Sequence, residues 1–276
     1  MNYYDKNIIE IHNDLINKKV TSKELIDFSK SKILETNEKF NAYNLVLDPV
    51  ENNEINTLLS GIPYAMKDNI STKGIRTTAC SNTLKDYVPI YNATVYEKLC
   101  KNGAIMIGKT NMDELAMGGT GLTGNAGIVK NPYDEERIAA GSSAGSAVAV
   151  ATKTVPFAIG TDTGDSIRKP AAYTGVVGYK PSYGLISRYG LFAFASSLDT
   201  IGVITNSVID AAVVVNAVKG SDEKDMTTIK DMEEVDLTKD FNNLKSKKLF
   251  YIKEIVDKSK YTNPNTIKII DDFNKL

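Results

Sequence analysis

The sequence has no tryptophan, a single histidine, two cysteines and only four arginines in 276 residues. Each scarcity closes off a class of chemistry. Cys80 and Cys100 stand alone, with no CxxC spacing and no neighbouring histidine, so neither a zinc site nor a disulfide framework is expected. Arg76, Arg137, Arg168 and Arg188 do not cluster, and a net charge of −1 offers no basic stripe for direct contact with RNA. Long hydrophobic runs are missing too: "AGSAVAVAT" and "DAAVVVNAV" are too short to cross a bilayer. The opening "MNYYDKNIIEIHNDLINKK" is amphipathic, not basic and then apolar. It does not read as a signal peptide, and the expected location is the cytoplasm.

What is present is alternation. Ile8, Ile9, His12, Leu15 and Ile16 follow helical spacing, and Thr21 with Glu24 has capping-box separation, so residues 1–45 read as helices. His12 belongs to the first of them and reads as structural. From about residue 60 the pattern changes. "GIPYAMKDNI" is a short apolar strand ending at Lys67, "NATVYEKLCKNG" a helix stopped by Gly103, and "AIMIGKTN" a buried strand. After the glycine-rich "MGGTGLTGNAG" and the small-residue helix "SAGSAVAVATK" come the strands "VPFAIGTDT", "GVVGYKPSYG" and "LDTIGVIT", then the helix "SVIDAAVVVNAVKG". Strands alternating with helices predict an α/β fold around a largely parallel sheet. Residues 221–247 form a polar excursion, "KKLFYIKEI" one more strand, and "NPNTIKIIDDFNKL" a helix that runs out at Leu276, as though the chain stopped inside a domain.

Hydroxyls crowd the segment "GTDTGDSIRKPAA", yet a serine needs a proton acceptor before it is a useful nucleophile. Three arrangements offer one. "GSSAG" matches the nucleophile elbow with Ser143 at its centre, but no histidine follows it. "SIRK" places Ser166 and Lys169 in S-x-x-K order, but Pro170 disfavours helical geometry at Lys169, and no SDN or KTG partner exists. The third uses Lys67, at the end of an apolar strand. It can turn outward to water, or it can be carried inside, where desolvation favours the neutral, proton-accepting amine.

At these residues the chain resembles the amidase signature family. The resemblance rests on "GIPYAMKDNI", "GKTNMDELAMGGTG", "AAGSSAGSAVAVA", "GTDTGDSIRKPAAYTGVVGYKP" and "YGLISRYGLFAFASSLDTIG", in that order. It implies one amidase domain over residues 1–276, an α/β/α sandwich around a mixed, largely parallel sheet, incomplete at the C-terminus. It also implies a Ser–cis-Ser–Lys triad: Ser166 as acyl-forming nucleophile, Ser142 as the bridging serine after a cis peptide, and Lys67 as relay base. Backbone groups at Thr163, Gly164 and Asp165 would hold the oxyanion, and Met117 would border the substrate. Asp165 stands where the family usually has glycine, and the glycine set around "AAGSSAGS" is less full.

"NMDELAMG" and "SRYGLFAFASSLDTIG" look most like the glutamine-hydrolysing members that serve tRNA-dependent amidotransferases. That likeness implies ammonia release from glutamine for a partner B subunit. The B subunit would use ATP and Mg²⁺ to activate the glutamyl group of Glu-tRNA(Gln), and a small C subunit would complete the complex. The triad itself would need no cofactor and no metal, and no membrane is implied. The family's substrate-recognising arginine and aspartate lie in a part beyond Leu276. Two other functions remain open at this point: a stand-alone amidase for small carboxamides, and a non-catalytic assembly piece.

Overall fold

The computed structural model describes residues 2–230 and 263–273. Its first two helices start where side chains replace absent backbone acceptors. Asn7 with Glu10, and Thr21 with Glu24, form reciprocal caps at the starts of α1 (Ile8–Ile16) and α2 (Ser22–Phe40). Asn41, with a left-handed φ of 54°, stops α2. The chain then enters the sheet as β1 (Tyr43–Val46). That strand falls in the stretch whose sequence reads as helical; with four residues at a sheet edge it has too little pattern to announce itself.

The remaining elements are β2 (Pro63–Lys67), α3 (Thr94–Lys101), β3 (Ile105–Thr110), α4 (Ala144–Ala151), β4 (Phe157–Asp162), α5 (Arg168–Tyr173), β5 (Val177–Tyr179), β6 (Thr200–Thr205) and α6 (Val208–Val218). The six strands lie in the order β1-β3-β2-β4-β6-β5. The central trio β3, β2 and β4 is parallel, while β1, β6 and β5 join antiparallel, so the sheet is mixed. Every residue of β2, β3, β4 and β6 is buried, as expected of strands covered on both faces.

Two apolar clusters do the covering. Tyr64, Met66, Phe157 and Ile159 point toward α1, α3 and α6; Ala65, Ala158 and Ile204 point toward α4 and the Ile26–Ile33 side of α2. This is the expected helix–sheet–helix layering. Strand alternation also decides where two lysines go. Met66 lies opposite Lys109 and Lys67 opposite Thr110 in the β2–β3 register, so the two buried lysines leave the sheet on opposite faces.

α5 corrects one sequence argument. Pro170 disfavours helical geometry at the residue before it, yet Lys169 and Pro170 both lie inside α5. Pro170 is the third residue of the helix, where an N–H would have no intrahelical acceptor, so proline costs the helix nothing there.

The chain divides into two compact units, Met1–Leu237 and Thr238–Leu276. The described part of the second contains the helix Pro264–Phe273, in the stretch expected to be helical. Residues 231–247 of the polar excursion and the strand expected at "KKLFYIKEI" lie outside the described residues. Among the described residues no helix is long and apolar enough to cross a membrane.

Candidate active site

Lys67 is the last residue of β2, and it turns inward. Its side chain is completely buried, and its Nζ donates to Ser142 Oγ at 2.8 Å and to Thr161 Oγ1 at 2.8 Å, with Thr161 O further off at 3.4 Å. Burial pushes its pKa down from 10.5 to about 7, against the pull of Asp113, Asp162, Cys80 and Asp199. At neutral pH the amine is therefore divided between its two forms, and the neutral form can accept the Ser142 hydroxyl proton along the same contact.

Ser142 is held by the loop that leads into α4. The Gly141–Ser142 peptide is cis. Ser142 O accepts from Asp113 N at 3.2 Å. The Asp113 carboxylate commits its lone pairs to the glycine-rich loop, accepting from the amides of Thr120, Gly121, Leu122 and Thr123 at 3.0–3.2 Å and from Thr123 Oγ1 at 2.9 Å. Gly141 permits this packing, because a Cβ there would lie 2.0 Å from Asp113 Oδ2.

Ser166 lies in the turn between β4 and α5. It is only 6% exposed. The turn is shaped by Asp162, whose Oδ2 accepts from Ile167 N at 2.9 Å and whose carboxylate also takes the Arg168 guanidinium at 3.1–3.2 Å. Ser166 O accepts from Ser143 N at 3.1 Å, which brings the turn against the residue following Ser142. The Ser166 hydroxyl itself forms no hydrogen bond with a described residue. Thr163 Oγ1 donates to Asp199 Oδ1 at 2.5 Å. Gly164 has open space around it, and its carbonyl accepts from Arg168. Asp165 points out of the turn to pair with Lys169 at 2.8 Å.

Lys67 and Ser142 are thus in direct contact, and Ser166 reaches the same corner through its backbone. Met117 follows the short turn Glu114–Ala116 with its side chain 58% exposed, and it makes no side-chain contact with these residues in the hydrogen-bond pattern. Among the described residues no group of three or more His, Cys, Asp and Glu is placed to hold a metal ion.

This geometry can be set beside known proteins. The family model described as "Amidase" matches residues 24–265. The chain belongs to the amidase family. The A subunit of the glutamyl-tRNA(Gln) amidotransferase of Lactiplantibacillus plantarum is 45% identical over 241 residues, covering 83% of this chain and 49% of that protein. Its counterpart in Thermoanaerobacter pseudethanolicus is 46% identical over 253 residues, with 90% and 49% covered. The crystal structure of the corresponding glutamyl-tRNA(Gln) amidotransferase polypeptide from Thermotoga maritima superposes with a TM-score of 0.79 at 41% identity, covering 85% of this chain and 51% of that one. The native peptide amidase of Stenotrophomonas maltophilia gives 0.76 at 32% identity, with 85% and 52% covered. This amidase chain spans about half the length of the relatives it matches.

Two buried residues near these strands are passed over by the sequence reading. Thr161 is one hydroxyl among several there, yet its Oγ1 also accepts from Asn69 Nδ2 at 3.1 Å and so helps fix the Lys67 amine. Lys109 lies within "GKTNMDELAMGGTG", where the resemblance implies no role for it. It is as buried as Lys67 and donates to Ile70 O, and to Thr72 Oγ1 and Thr77 Oγ1 at 3.1 Å each. Burial lowers its pKa to about 8 against the pull of Asp68. A signal for Lys109 does exist: "AMKDN" and "IGKTN" both put a lysine at the end of an apolar run.

The other two arrangements resolve in physical terms. Ser143 Oγ donates to Thr161 O at 3.0 Å and accepts from Thr161 N at 3.2 Å, so the centre of "GSSAG" ties α4 to β4. Lys169 pairs with Asp165, not with Ser166, and Ser166 lies before the start of α5. His12 sits on α1 with its Nδ1 buried and without a hydrogen-bond partner among the described residues, its pKa lowered by burial. The Cys80 thiol is pushed up to about 12, chiefly by burial, so it is no thiolate nucleophile at neutral pH.

Proposed function

We propose that this chain is the glutamine-hydrolysing part of a tRNA-dependent amidotransferase. Ser166 is its nucleophile, Ser142 its bridge and Lys67 its base. The observation that carries the reading is a fully buried amine, held near pKa 7, at 2.8 Å from the hydroxyl of Ser142. Burying a lysine costs several kcal/mol, on the order of the whole net stability of a small domain. Here that cost places a proton-accepting amine against a hydroxyl that has a proton to give.

The chemistry follows from the residue types. Ser166 Oγ attacks the side-chain carbonyl carbon of glutamine while its proton passes to Ser142, and the Ser142 proton to neutral Lys67. Backbone amides of the Thr163–Ser166 turn stabilise the oxyanion, each such donor being worth about 3 kcal/mol in the transition state. The C–N bond breaks, and the proton on Lys67 returns through Ser142 to the leaving nitrogen, giving ammonia and a glutamyl ester on Ser166. Water, deprotonated by the same relay, cleaves the ester to glutamate and restores the serine.

In this reading the ammonia converts Glu-tRNA(Gln) to Gln-tRNA(Gln) in a complex with B and C subunits. ATP and Mg²⁺ belong to the B subunit. The support is the 45–46% identity to relatives named as the A subunit of such an amidotransferase. The likeness to a peptide amidase favours a second reading, the same acylation chemistry on a small carboxamide without partners.

Treatment with 6-diazo-5-oxo-L-norleucine, a glutamine-shaped electrophile, followed by peptide mass spectrometry tests the proposal. The expected adduct is on Ser166, and it is lost in Ser166→Ala. No adduct on a folded chain that also releases no ammonia from small amides defeats the catalytic reading and leaves an assembly piece. Ammonia release from small amides but not from glutamine selects the second reading.

A further inference from the structure

Three buried carboxylates, Asp113, Asp162 and Asp199, favour the charged form of the Lys67 amine, and each also fastens a loop. Asp113 holds the glycine-rich loop and Asp162 the turn at Ser166. Asp199, 3% exposed just before β6, accepts from Phe194 N at 2.9 Å, from Ala195 N at 3.1 Å and from Thr163 Oγ1 at 2.5 Å. It therefore joins the nucleophile turn to the segment 187–199. That segment docks on the residues after Lys67, where Phe192 N donates to Asn69 O at 2.9 Å and Ser71 N to Gly190 O at 2.8 Å. One carboxylate thus ties the Ser166 side of the site to a strap fastened on the Lys67 side.

We propose that Asp199 is a positioning residue of this site, fixing Thr163 at the start of the nucleophile turn and supplying one of the fixed negative charges around the Lys67 amine. The Thr163 hydroxyl donates to this carboxylate, so the amides that follow it take their direction from the Asp199 contact. The ionisable groups that act on Lys67 are Asp113, Asp162, Cys80 and Asp199, and of these Asp199 alone bonds the nucleophile turn from outside it. The basic residues that line a cleft with Asp199 pair elsewhere: Arg188 with Asp225 at 3.6 Å, Lys224 with Glu97 at 3.3 Å. Removing the negative charge at 199 destabilises the ammonium form of Lys67, so the neutral amine persists to lower pH.

The inference rests on Lys67 being the base, and the test separates the two. The rate of Ser166 labelling by 6-diazo-5-oxo-L-norleucine is followed against pH in the wild type, Asp199→Asn, Thr163→Val and Lys67→Met. Asp199→Asn is expected to label roughly tenfold more slowly at its plateau, because an amide offers one acceptor oxygen where the carboxylate used two, so Thr163 Oγ1, Phe194 N and Ala195 N can no longer all be held, and its low-pH limb moves to lower pH. Thr163→Val cuts the same hydrogen bond but keeps the charge, so it slows labelling comparably and leaves the limb in place. An unmoved limb in Asp199→Asn overturns the proposal, since a purely structural role would change only the plateau. Should Asp199→Asn not fold, Thr163→Val decides: labelling at the wild-type rate overturns the proposal. Labelling of Lys67→Met at the wild-type rate defeats the underlying reading instead.

Discussion

Lys67 and Lys109 sit on neighbouring parallel strands, one register position apart, equally buried, and face opposite sides of the sheet. Burial depresses both, to about 7 and about 8. What separates them is the protons of their partners. Thr72 Oγ1 donates to Ile70 O at 3.3 Å and Thr77 Oγ1 to Ile75 O at 3.1 Å, so all three oxygens around Lys109 offer it lone pairs only. Three acceptors match the three donors of an ammonium, and Asp68 adds a counter-charge. Around Lys67 the Ser142 hydroxyl has a proton to give. Two lysines with the same burial thus act differently: one straps the loop 70–77, the other can receive a proton.

The comparison breaks most visibly by removing each amine. Lys67→Met is expected to slow labelling or hydrolysis by roughly 10²–10⁴-fold, the usual worth of a general base, with little loss in thermal or urea midpoint. Lys109→Met is expected to do the reverse, costing about 3 kcal/mol in urea unfolding, because a carbonyl and two committed hydroxyls then face an apolar chain. Equal stability losses from the two variants, with equal activity losses, would erase the distinction. A finer cut is Thr161→Val, which leaves Ser142 as the main side-chain partner of Lys67. Losing that one hydrogen bond, worth about 1 kcal/mol, should slow labelling roughly fivefold; an unchanged rate would show that Ser142 alone orients the amine.

Much of this is legible in the sequence because it is local. The α2 cap, the four buried strands and the glycine stop after α3 each follow from a few adjacent residues. β1 and α5 are not legible, one being a four-residue edge strand and the other a helix that begins with a proline-containing turn. At the site, residue types and order suggest Lys67, but its inward turn is a tertiary fact, set by α4 and β4 closing over the end of β2. Thr161 and the partners of Lys109 stay hidden for the same reason. Lys67 lies 94 residues from Thr161 and the loop 70–77 lies 32–39 from Lys109, and only strand pairing brings them together. Asp199 likewise reads as part of the strand "LDTIGVIT" until its bond with Thr163 is seen.

The central claim is the ionisation of one amine. In the folded state it is held near 7, and in an unfolded chain it returns to 10.5. Between those values the unfolded chain binds the extra proton, so this group's penalty on stability is full below about pH 7 and is relieved as pH rises toward 10.5. An NMR titration of ¹³Cε-labelled lysine, with Lys67→Met to assign the signal, reads the amine directly. A Lys67 transition near pH 7 is the expected result; a transition close to 10.5 would mean a solvated ammonium and would contradict the account.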